Sequence, residues 1–201
     1  MQQRPESRVY QVRDHQNELD ALLRDGQLTL QGASLVQQVE AIIARRYARA
    51  AVVCHQPMAA HMRHLRIAIE PFYSERETPA VRGCDCLIVA GTPMLPLNLL
   101  ERQARMIYFE RDVPFNTTWS TRQIAYPGHP HTCAVGGFWH DRDLHAVLRQ
   151  YREAEIVRAA YRANPLTNPV DIWLLTNIPV DLPVTDLIVV NDVLGVAAGP
   201  R

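Results

Sequence analysis

The sequence predicts an α/β protein built on a mainly parallel sheet, a three-layer arrangement with helices on both faces. Three observations carry this. Continuous apolar runs of strand length at 50–54 and 86–90 have the composition of strands buried on both faces. Stretches of helical periodicity fall between such runs, as the crossovers of βαβ units require. The second run breaks sharply into Gly91-Thr92-Pro93, a strand-to-helix turn at the carboxyl edge of the sheet, where ligands of such folds gather.

The elements follow in order. Residues 9–12 alternate as a short strand within an N-terminal extension, 1–33. Ser34 is a good N-cap, and Leu35, Val36, Val39, Ile42, Ile43 and Tyr47 recur after it at helical spacing. The strand at 50–54 ends in His55-Gln56-Pro57, and Pro57 suits the first turn of a helix reaching about Leu65. A strand is expected at 67–73, then a polar stretch at 74–82, and a helix at 97–106 after the glycine turn. Between 107 and 140 the texture changes to aromatics, proline and glycine with weak alternation, which reads as a β-hairpin inserted on the main sheet. One long helix is expected from Asp141, with Leu144, Val147, Leu148, Tyr151, Ala154, Val157 and Tyr161 as its core stripe. Pro165 stops it, because the residue before proline is pushed out of the helical region. Strands at 170–175 and 187–190 close the sheet, and 197–201 is expected to fray. The whole of 1–201 reads as one domain.

Composition limits the function. Twenty-one basic and twenty-one acidic residues cancel, so nucleic-acid binding has to come from a local patch such as 45–49 or 63–66. No apolar run is long enough to cross a bilayer, and the polar amino terminus lacks the core of a signal peptide, so a cytoplasmic setting without membrane partners is expected. Cys54, Cys84, Cys86 and Cys133 are then expected to be reduced. Cys84 and Cys86 with His129, His131 and Cys133 hold enough ligands for zinc, but they lack the spacing of zinc knuckles, and Cys86 opens an apolar strand where a thiol serves as a small hydrophobe. His129, His131, His140 and Asp141 give a weaker reading as a metal-dependent hydrolase. Neither reading outweighs the expectation of no metal.

The order of a strand ending at His55, then Arg82-Gly83, then Gly91-Thr92-Pro93, then the helix 155–165, then Trp173-Leu-Leu-Thr-Asn-Ile-Pro179 resembles the carboxyl-terminal RecA-like domain of superfamily-two (DEAD/DEAH-like) helicases. The likeness is greatest to helicase-like proteins of phages, plasmids and integrated elements, often fused to primases. The resemblance implies the carboxyl-terminal motor half of a helicase or translocase. In it His55, Arg82, Gly83 and Thr92 contact nucleic acid, and Gly91, Glu155 and Arg158 couple to the ATP site. Arg162 is then the catalytic arginine, stabilising charge on the transferred phosphoryl oxygens. Glu155, Arg158 and Arg162 are spaced three and four apart and share a helix face, with Arg162 expected to project from the rim one turn before Pro165.

The chain departs from the family in three places: Arg158 stands where glutamine is usual, Tyr161 where glycine or histidine is, and Asn164 where a second arginine is. It also contains no lysine, so it has no phosphate loop of the Gly-Lys-Ser or Gly-Lys-Thr kind. ATP and Mg would therefore be shared with a missing N-terminal motor domain or partner subunit, and this chain alone would not hydrolyse ATP. The nucleic-acid partner is expected to be a single strand, DNA in preference to RNA, with Trp119, Trp139 and Phe138 as candidates for base stacking. The alternative is a catalytically inactive, helicase-derived interaction module of a replication complex.

Overall fold

A computed structural model describes residues 6–45, 47–75 and 78–195. The chain runs through β1 (Arg8–Val12), α1 (Leu19–Leu22), a small ribbon of β2 (Leu23–Arg24) and β3 (Gln27–Leu28), α2 (Leu30–Ile43) and β4 (Ala50–Cys54). There follow α3 (Gln56–Ala59), a 3-10 segment (Ala60–Leu65), β5 (Ala68–Pro71), α4 (Pro79–Arg82), β6 (Cys86–Ala90) and α5 (Leu97–Ile107). The last part comprises β7 (Ser120–Ala125), β8 (Thr132–Gly137), α6 (Arg142–Tyr151), α7 (Glu153–Tyr161), β9 (Asp171–Leu175), β10 (Asp186–Ile188) and α8 (Val190–Gly195).

Six strands form one sheet in the order β10-β1-β9-β6-β4-β5, and every neighbouring pair is parallel. The apolar strands serve two cores because successive side chains point to opposite faces. Val52, Cys54, Ile88, Ala90 and Leu175 pack under α2, α3 and α8. Ala51, Val53, Leu87, Val89 and Leu174 pack on the other face against α4, α7 and the β7–β8 hairpin. A smaller cluster joins α5 and α6 to Phe138. The result is the expected three-layer α/β fold. None of the described helices is long and apolar enough to cross a membrane.

Four expectations change in detail. β1, read as a short strand within an N-terminal extension, lies inside the main sheet, between β10 and β9. The helix expected from Ser34 begins at Leu30, and Thr29 caps it by accepting the Gly32 amide at 3.0 Å. The first turn was illegible in the pattern because Leu30 is exposed and the buried stripe starts further on. Replacing Thr29 with alanine is expected to cost about 1 kcal/mol, read as a lower urea midpoint with an unchanged slope. The hairpin pairs antiparallel from Ser120↔Gly137 to Ala125↔Thr132 as a separate two-stranded sheet, reaching the core through Tyr126, Cys133 and Val135 rather than by hydrogen-bonding to the main sheet. Residues 197–201, expected to fray, lie outside the described residues.

The fourth change matters most for function. The single long helix is two, α6 and α7, with a break at Arg152 (φ −109°, ψ −72°). Arg152 is fully buried, and its guanidinium donates to the Gly136 carbonyl at 2.8 Å and to Glu153, pinning the elbow to β8. The break rotates the helix face. Ile156, Ala159, Ala160 and Ala163 are buried in place of Ala154, Val157 and Tyr161, and Glu155 and Arg162 turn inward with them. α7 ends through Asn164, which takes up the left-handed conformation (φ 52°) that asparagine tolerates better than arginine does.

Candidate functional site

At the carboxyl edge of the sheet the chain leaving β4 enters α3 on the α2 face, whereas the chain leaving β6 returns through α7 on the opposite face. Neighbouring strands whose connections part in this way mark the usual ligand crevice of open α/β sheets. His55 follows β4, Gly91-Thr92 follows β6, Thr176 follows β9, and Asn17 lies on the segment after β1.

These residues close a polar seam. A carbonyl can only accept, so the His55 Nε2–H donates to the Thr92 carbonyl at 2.9 Å. The Thr92 amide donates to the Asn17 carbonyl at 2.9 Å, and its hydroxyl lies 2.6 Å from the Thr176 hydroxyl and bonds the Gln16 carbonyl. Asn17 Nδ2 donates to the Leu175 carbonyl, and Gln31 Nε2 to Asn17 Oδ1. Gly91 has φ +110°, and a Cβ there would lie 3.1 Å from His55 and 3.2 Å from the Asn17 carbonyl. The glycine thus permits a close approach, but what approaches is the chain's own His55 and Asn17. Thr92 is fully buried and its hydroxyl is engaged within the seam. Burial outweighs the bond to Thr92 and lowers the His55 pKa to about 4, so the imidazole is neutral near pH 7.

A second cluster lies beside the first. Phe72 packs edge-on against His55 with ring centroids 5.2 Å apart, and the strand leading to Phe72 carries Glu70. Arg162, expected at the rim, is instead 2% exposed. It donates to Glu70 Oε2 at 3.3 Å, to the Pro71 carbonyl at 3.0 Å and to Glu155 Oε1 at 3.2 Å. Glu155 also accepts from Arg158 Nε at 2.6 Å and from the Tyr73 amide at 2.7 Å. The inward turn of α7 produces this arrangement. Glu155, Arg158 and Arg162 do come together, but as a largely buried ion cluster anchored on β5, with only Arg158 substantially exposed.

Arg82 and Gly83 are not part of either cluster. They close α4 just before β6 begins, at its amino end, and the five residues of β6 span about 17 Å before Gly91 and Thr92. The four residues expected to contact nucleic acid are therefore divided between opposite edges of the sheet.

The candidate metal ligands are dispersed. Cys84 and Cys86 are buried in the cores, Cys133 Sγ donates to the Asn177 carbonyl, and His129 contacts the Val184 carbonyl. Asp141 caps α6 and pairs with Arg111 at 2.7 Å. Burial alone would raise its carboxyl, but the Arg111 guanidinium and the amides of Leu144 and Asn116 hold it at about 2. Among the described residues no three His, Cys, Asp or Glu side chains are grouped to hold a metal.

Beside the seam opens a cavity of about 270 Å³. Met94, Leu95 and Leu100 supply an apolar wall, and Trp119 and Phe138 an aromatic one. Trp119 and Phe138 meet edge to face at 5.0 Å. The indole lies against Gly136, where a Cβ would come within 2.5 Å of it. Glu18, whose backbone bridges to Thr92, is the acidic group of the cavity, and Thr117 adds a second polar residue. Burial raises the Glu18 carboxyl, offset in part by the charge of Arg152 and a hydrogen bond from Gln16. Sequence reasoning missed Glu18, Asn17 and Glu70, since a lone polar residue in a loop or edge strand carries no periodic signal. Thr176 was in view within the run 173–179, but only the sheet shows that it faces Thr92.

No family model, curated protein or solved structure matches the chain.

Proposed function

We propose that this chain is the carboxyl-terminal RecA-like half of a nucleic-acid helicase or translocase, binding a single strand, DNA in preference to RNA, at the carboxyl edge of its sheet. The observation that carries this reading is the meeting, at the switch point of a parallel sheet, of the His55–Gly91–Thr92–Thr176 seam with an aromatic-walled cavity. The seam is internally satisfied, so its role is to hold the edge rigid, while contacts to a strand fall to surrounding groups. The phosphate loop and the magnesium-binding acids belong to another domain or chain, because a chain without lysine cannot supply that loop. ATP would then bind only where the two halves meet.

One observation favours the second reading, a helicase-derived interaction module without motor activity. Arg162 is already bound to Glu70 and Glu155, and it would have to leave both to reach a phosphate.

Fluorescence anisotropy of a labelled single-stranded DNA, titrated with the protein at 50 and 200 mM salt, tests the proposal. Binding that weakens steeply with salt is expected, since each phosphate contact released adds to the slope. Absence of binding at 50 mM salt would overturn the nucleic-acid reading and leave the interaction module.

A further inference from the structure

We propose that the cavity beside Glu18 is a nucleobase subsite that takes one unstacked base of a single strand, with guanine preferred. The inference deepens the nucleic-acid reading above and rests on it.

The shape of the cavity points to a flat ligand. Its volume of about 270 Å³ lies just below the range of ligand pockets for drug-sized molecules, roughly 300–1,000 Å³, which suits one ring system. Trp119 is 43% exposed, an unusual position for an indole that is also fixed in orientation. It is fixed because Gly136 lets it lie against the hairpin and Phe138 meets it edge-on. A pre-set indole with an open side is a platform on which a base stacks at little entropic cost.

The chemistry of the lining selects the edge of that ligand. Among the described residues no arginine or histidine lines the cavity, and the charged group there is Glu18. A phosphate is therefore disfavoured inside, whereas a group presenting N–H donors is favoured. One Glu18 oxygen accepts from Gln16 Nε2, which orients the carboxylate, and an ionised carboxylate accepts without donating. Among the bases, guanine alone presents two adjacent donors, N1–H and N2–H, on its Watson–Crick edge. Thymine offers one N–H flanked by two carbonyl oxygens that repel the carboxylate. Adenine and cytosine each place an acceptor nitrogen beside their amine. Single-stranded recognition of this type, a base stacked on an aromatic ring and read along that edge, is common in nucleic-acid-binding domains.

The test titrates the protein with guanosine and thymidine monophosphates while following tryptophan fluorescence, then repeats the DNA anisotropy with oligonucleotides that contain or lack guanine. Guanosine monophosphate is expected to quench the Trp119 emission and to bind about 5- to 150-fold more tightly than thymidine monophosphate. Trp119→Ala is expected to weaken guanine-containing oligonucleotides about 5- to 150-fold. Glu18→Gln keeps the shape of the side chain but adds a donor, so it is expected to reduce the guanine preference while leaving quenching by stacking in place. It also guards against misreading a Trp119→Ala variant that fails to fold. Equal affinity for the two nucleotides, or a preference unchanged in Glu18→Gln, would overturn the guanine subsite. If oligonucleotides bind in a salt-dependent way but neither variant affects them, the subsite fails and the wider nucleic-acid reading stands. If no oligonucleotide binds at all, that reading fails as well.

Discussion

Replacing Arg162 with methionine is expected to lower the unfolding free energy by about 3–5 kcal/mol, the usual cost of removing one partner from a buried charge cluster. For a domain of this size the loss corresponds to a fall in Tm of roughly 6–20 °C. Arg162 is the cation common to Glu70 and Glu155, whose side chains are both almost wholly buried. Without it two carboxylates are left facing one another. Among the described residues Glu70 would keep the Thr78 amide, and Glu155 would keep Arg158 and the Tyr73 amide. Lysine at 162 is expected to recover only part of the loss, since one compact ammonium cannot satisfy three acceptors that a guanidinium spans. Combining Arg162→Met with Glu70→Gln and Glu155→Gln is expected to restore part of it, because no buried carboxylate is then left without its cation. Thermal unfolding of the three variants decides the matter. If Arg162→Met melts with the wild type, the cluster contributes no stability and Arg162 is free for the ATP-facing role that the helicase resemblance gives it.

Lowering the pH from 7 to 5 is expected to remove about 2 kcal/mol of stability through His55 alone. Burial depresses its folded-state pKa to about 4, against about 6.5 in the unfolded chain. Between those values the unfolded state binds a proton that the native state refuses, so stability rises with pH through the window. The contribution is therefore fully present above about pH 6.5 and is lost as the pH falls towards 4. The physical cost is that of placing an imidazolium beneath Phe72 in the seam that joins β4, β6 and β9. Urea titrations at pH 7 and pH 5 for the wild type and for His55→Gln measure it. The variant is expected to be less stable at pH 7 but to lose about 2 kcal/mol less on acidification. Equal losses in the two proteins would show that His55 does not titrate in this window.

The α/β class was legible in the sequence because the strands at 50–54 and 86–90 are apolar throughout, and only a strand covered on both faces tolerates that. The Gly91-Thr92 turn was equally legible, since a glycine ending such a strand announces a backbone that other residues resist. His55 was placed correctly at a strand end by the same argument. The partners of these residues could not be read from spacing. Thr176 meets Thr92 only because β9 pairs with β6, a register set by packing across 84 positions of chain. Likewise β1 sits within the sheet because its flanking strands, β9 and β10, come from the far end of the chain.

The largest difference came from one buried residue. Arg152 breaks a helix that periodicity alone would continue, and the change of phase turns Glu155 and Arg162 from an outer face into the protein. The stripe Ile156, Ala159, Ala160 and Ala163 was present in the sequence as the sign of that phase, but its small side chains gave it less weight than Val157 and Tyr161. Local sequence thus determined which segments are strands and helices, through apolar periodicity and backbone preference. Tertiary structure decided which charged groups are buried and whom they face, because the energies of ion pairs and close packing depend on elements distant in the chain.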